Sequence, residues 1–74
     1  MATESLVNYC LDRTRDGLFT VRRRRGLRDI LSGHPLCIAG PGEPEFPETP
    51  MTRQELYARL SELAGQGYRD NLLP

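Results

Sequence analysis

The period of apolar and polar positions changes along the chain, and each change marks an element. Toward the C-terminus, Leu56, Leu60 and Leu63 recur at i, i+4 and i+7, with Tyr57 and Ala64 widening the stripe. That is the period of an amphipathic helix. Thr52 stands before it as an N-cap, Glu55 three residues on completes a capping box, and Met51 and Leu56 occupy the positions of a hydrophobic staple. Pro50 bars helix ahead of the cap, and Gly65 is the expected left-handed residue past the end. These signals predict a helix over residues 53–64.

The first third of the chain fits two periods. Thr3 can cap a helix that turns Leu6, Val7, Cys10 and Leu11 inward; equally, Val7, Tyr9 and Leu11 alternate as in a strand. We favour the helix, because it places Asn8 and Asp12 together on one side. Asp16-Gly17 serves either reading, as a helix stop or as a type I′ hairpin turn. Leu18–Arg22 is β-prone in both cases, with Phe19 and Val21 on one face. "GLRDILSG" predicts a short helix ending at Gly33, and "HPLCIAG" a short buried strand or extended packing segment.

Between residues 40 and 50, "GPGEPEFPETP" holds four prolines and three glutamates, so an extended, polyproline-like connector is expected there. Residues 66–74 form a tail ending in Leu72, Leu73 and Pro74. The expected fold class is α+β: one small domain over residues 1–74. It has an N-terminal helix or strand, a short β segment, a short helix, a Pro-rich loop and a C-terminal amphipathic helix.

Composition narrows the class. Seventy-four residues, 38% of them hydrophobic, make one small core, of a size that rarely supplies more than ~3–5 kcal/mol. Two cysteines rule out a disulfide framework. The first residues lack a basic segment followed by a continuous apolar run, so neither a secretory signal nor a membrane segment is expected. A cytoplasmic location with reduced thiols is the expectation.

Charge adds the strongest signal. The formal net charge is zero, and all ten basic residues are arginine. Yet residues 12–29 hold seven arginines against three aspartates, a local net of +4, and the rest of the chain carries −4. The centre of the positive part is Arg22, Arg23, Arg24 and Arg25, with Arg28 close behind. On a strand these side chains alternate between faces, so the block is expected to face solvent. Three uses compete for it. It can guard an edge strand against aggregation, dock on an acidic protein surface or ribonucleoprotein, or hold the phosphates of a nucleic acid. A pI of about 6.6 and the lack of an accompanying aromatic ladder argue against a general nucleic-acid coat.

The other candidate chemistry is weaker. Glu43, Glu45 and Glu48 can fold back onto the arginines, and Phe46 either caps the core or anchors a partner. His34 and Cys37 have the spacing of half a zinc site, but with Cys10 they give three ligands where a structural site needs four. The one histidine has no evident orienting acid, and "AGPGEP" puts prolines where a phosphate loop needs amide donors. No catalysis, metal or cofactor is therefore expected.

The expected function is that of a non-enzymatic binding protein: a small regulator, inhibitor or accessory subunit docking on a larger macromolecule. Arg22, Arg23, Arg24, Arg25 and Arg28 would supply charge, and Phe46, Tyr57 and Tyr68 apolar contact. A nucleic-acid-binding regulator is the alternative. A third reading is a structural subunit of a larger enzyme, held through the last helix, Leu72 and Leu73. Self-association is compatible with all three.

Overall fold

The computed structural model of the chain describes residues 4–26 and 33–72. Four antiparallel strands and one helix make a mixed α+β fold: β1 (Ser5–Arg13), β2 (Phe19–Arg23), β3 (His34–Gly40), α1 (Arg53–Gly65) and β4 (Arg69–Asp70). The sheet order is β2-β1-β3-β4. The short helix expected around residues 27–32 lies outside the described residues, as does Arg28.

The N-terminal segment is a strand, which corrects the helix reading preferred above. Val7, Tyr9 and Leu11 point to one face and are buried there. Asn8 and Asp12 do share a side, but four residues apart is a same-face spacing in a strand as well as in a helix. That spacing therefore does not distinguish a helix from a strand. As a strand, β1 becomes the second of four, pairing Leu11 with Val21 on β2 and Tyr9 with Leu36 on β3.

The hairpin between β1 and β2 turns at Thr14–Leu18. The Gly17 N–H donates to the Thr14 carbonyl, and the Thr14 hydroxyl accepts from the Leu18 N–H. Only Gly17 is left-handed, at φ 80°. A type I′ turn needs positive φ at both central residues, so the expected turn type is replaced by a wider loop closed by one left-handed glycine.

One face of the sheet carries the core. Val7, Tyr9, Leu11, Val21, Leu36 and Ile38 meet Leu56, Leu60 and Leu63 of α1, and Met51 completes the cluster. The helix starts where the sequence places it. The Glu55 N–H donates to the Thr52 hydroxyl at 3.1 Å, and the Thr52 N–H donates to the Glu55 carboxylate at 3.0 Å. It ends later than expected: Gly65 remains helical, and the left-handed stop is Gly67, at φ 96°. The Tyr68 N–H returns to the Leu63 carbonyl and sends the chain into β4.

Beyond β4 the edge of β3 is completed by a side chain. The Asn71 amide oxygen accepts from the Cys37 N–H at 2.9 Å, and its nitrogen donates to the Pro35 carbonyl at 3.1 Å. Tyr68 lies flat across Gly40, where a Cβ would stand 2.2 Å from its ring. Among the described residues, no helix is long and apolar enough to cross a membrane.

Candidate docking surface

Residues 41–50 have neither helix nor strand, yet they are held to the domain at several points. The Tyr9 hydroxyl, rising from the buried face of β1, donates to the Pro44 carbonyl at 2.6 Å. The Arg59 guanidinium, on α1, donates twice to the Glu45 carbonyl, at 3.2 and 3.0 Å, and is steadied by Glu62 at 2.8 Å. Arg23 pairs with the Glu43 carboxylate. At the far end Met51 exchanges two backbone hydrogen bonds with Phe19, each 2.7 Å, covering that end of the edge strand β2. Prolines 44, 47 and 50 cannot donate, which fits a strap held by its carbonyls and by side chains.

The arginine block therefore emerges at the open end of an edge strand, beside the strap. Alternation separates its members. Arg22 shares the face of Asp12 and pairs with it at 3.0 Å, whereas Arg23 sits opposite Tyr9 and turns to Glu43. Both are surface pairs, of the kind worth at most about 1 kcal/mol each. Arg25 is exposed. Arg24 departs from the solvent-facing expectation. It is half-buried, its backbone N–H donates to the Asn8 carbonyl at 2.9 Å, and its side-chain Nε is buried without a hydrogen-bond partner. Arg23 and Arg24 line an open groove of about 360 Å³ with Leu6, Val7, Asn8 and Gly26.

The aromatic candidates are dispersed. Phe46 packs on the core and meets Tyr9 edge-on, with ring centroids 5.2 Å apart, so it lies near Arg23 through their shared neighbour. It also lines a second groove, of about 450 Å³, with Met51, Glu55 and Arg59. Tyr68 is partly buried over Gly40 at the same end of the sheet. Tyr57 sits instead on α1, its ring 5.9 Å from the Arg53 guanidinium carbon. Leu72 packs against the core, and Leu73 lies outside the described residues.

Tyr9 and Arg59 are the residues that the sequence reading missed. Tyr9 looked like one more member of an apolar alternation, and Arg59 carried no signal that singled it out. The long-range return of the strap gives Tyr9 its carbonyl partner and gives Arg59 a partner besides Glu62. Burial, and then repulsion from Glu43, push the Tyr9 phenol above its ordinary value, while Arg23 pulls the other way.

The zinc spacing also dissolves. His34 and Cys37 stand three residues apart on one strand, hence on opposite faces. Cys37 points to the face of Asn8, to whose amide oxygen its thiol donates at 3.1 Å. Among the described residues, no three His, Cys, Asp or Glu side chains gather as metal ligands. Compared with known protein families, curated proteins and solved structures, the chain matches none.

Proposed function

We propose that the chain is a non-enzymatic binding protein, a small regulator, inhibitor or accessory subunit, that docks on an acidic surface of a larger macromolecule. The observation that supports this most is the fate of the arginine block. Arg22, Arg23 and Arg24 follow one another at the open end of β2, Arg22 and Arg23 held on opposite faces by Asp12 and Glu43, and Arg24 beside a groove. Ion pairs that orient guanidinium groups lower the entropy lost when a partner binds them.

Charge would govern encounter and orientation, while Phe46 and Tyr68 at the same end would add apolar contact at the rim. Tyr57 would belong to the surface only where a partner also reaches α1. The described residues lining the arginine groove include no aromatic ring on which a base could stack. This favours a protein partner over a nucleic acid.

The test is affinity capture of the tagged chain from its native host, with and without nuclease. A stoichiometric protein complex that survives nuclease is the expected result. Loss of every co-purifying component on nuclease treatment overturns the protein-partner reading in favour of nucleic acid.

A further inference from the structure

We infer that the groove between Arg24, Asn8 and Leu6 is an anion subsite that receives a carboxylate of an acidic–aliphatic peptide segment from the partner; this deepens the docking reading above and rests on it.

The four arginines of the block are not equivalent. Arg22 and Arg23 are engaged with Asp12 and Glu43. Arg24 is different: its Nε is buried and orphaned, although the residue as a whole is only half-buried and borders the groove. The residue lines the groove, and among the described residues its guanidinium has no ion-pair partner. The fold has thus partly desolvated a guanidinium that meets no counterion among the described residues. Buried cationic groups are ordinarily paired, and a guanidinium presents a planar fork that matches a carboxylate.

The rest of the lining says what accompanies the charge. Asn8 spends its amide oxygen on the Cys37 thiol, which leaves its amide nitrogen as a neutral donor. Leu6, 67% exposed, is the one large hydrophobic residue among the described residues that stands in solvent, and it forms the groove's wall with Val7. A cation, a neutral donor and an aliphatic wall within about 360 Å³ suit an acidic side chain followed by an aliphatic one. Arg23 borders the same groove, but Glu43 meets its charge, so it supplies no second open fork.

The test is a titration of the isotope-labelled full chain, followed through the arginine side-chain Nε–H and backbone amide signals. Three probes are compared: the capped peptide acetyl-Glu-Leu-Glu-Leu-amide, inorganic phosphate and a short mixed-sequence RNA. The expected result is a saturable shift of the Arg24 Nε–H, with Leu6 and Asn8 moving alongside, tightest for the peptide. Arg24→Lys keeps the charge and removes the fork, and weakens peptide binding about tenfold, whereas Arg22→Lys changes it less than about twofold. Equal binding by Arg24→Lys, or peptide shifts that spare Arg24, overturns the subsite. Tighter binding of phosphate or RNA at the same signals overturns the peptide assignment. Because Arg24→Lys preserves charge, its indifference would leave the broader docking reading standing; that reading fails separately, by the nuclease experiment above.

Discussion

At the scale of single residues, Tyr9 shows how one polar atom on an apolar face can organise a loop. Its ring is buried in the core, its edge receives Phe46, and its hydroxyl holds the Pro44 carbonyl. Tyr9→Phe keeps the ring and removes the hydrogen bond, and should cost about 1 kcal/mol in denaturant unfolding. The same contact predicts a pH dependence. The folded phenol titrates above 10.0 because it is buried and faces Glu43. The stabilisation tied to its proton is complete below the unfolded value of about 10. It is lost as pH rises through the higher folded value, because the unfolded chain releases that proton first. Urea midpoints measured up the alkaline limb should fall for the natural chain and fall less for Tyr9→Phe.

At the scale of elements, what could be read in advance depended on whether the signals were local. The helix was legible because its cap, staple and stripe all lie within residues 51–64. Thr52→Ala should cost about 1 kcal/mol of stability. The Glu55 carboxyl is held below its ordinary 4.5, first by the Thr52 backbone N–H and then by the Thr52 side chain. Its contribution is present above that value and lost as pH falls through the depressed one. In Glu55→Gln, which has no carboxyl to titrate, this part of the acid dependence of helix circular dichroism should vanish. The N-terminal strand was not legible, because residues spaced by four satisfy both periods and its partners lie elsewhere in the chain. The sequence marks the strap as proline-rich and acidic, but not as attached: Arg59 and Tyr9 carry no mark of a carbonyl that arrives from residues 44 and 45. The helix stop was misplaced by two residues, because Gly65 tolerates helix and Gly67 takes the left-handed turn.

At the scale of the whole molecule, a chain of zero net charge carries Arg22, Arg23, Arg24 and Arg25 at one end of an edge strand and meets part of that charge with its own acids. An arginine-rich edge serves solubility without any partner. A half-buried Arg24 whose Nε has no hydrogen-bond partner, beside an exposed Leu6, adds nothing to that role. The sequence pointed to the block as a unit, but it could not distinguish Arg22 and Arg23, which the fold pairs, from Arg24, which meets no ion-pair partner among the described residues. That difference depends on strand register and on where the strap returns. The central claim is that this end of the sheet docks on an acidic partner. It is tested most directly by capturing partners with the natural chain and with an Arg22→Glu, Arg24→Glu double variant whose helix circular dichroism is unchanged. The account predicts that the variant loses the nuclease-resistant partner. Undiminished capture by the folded variant would contradict it.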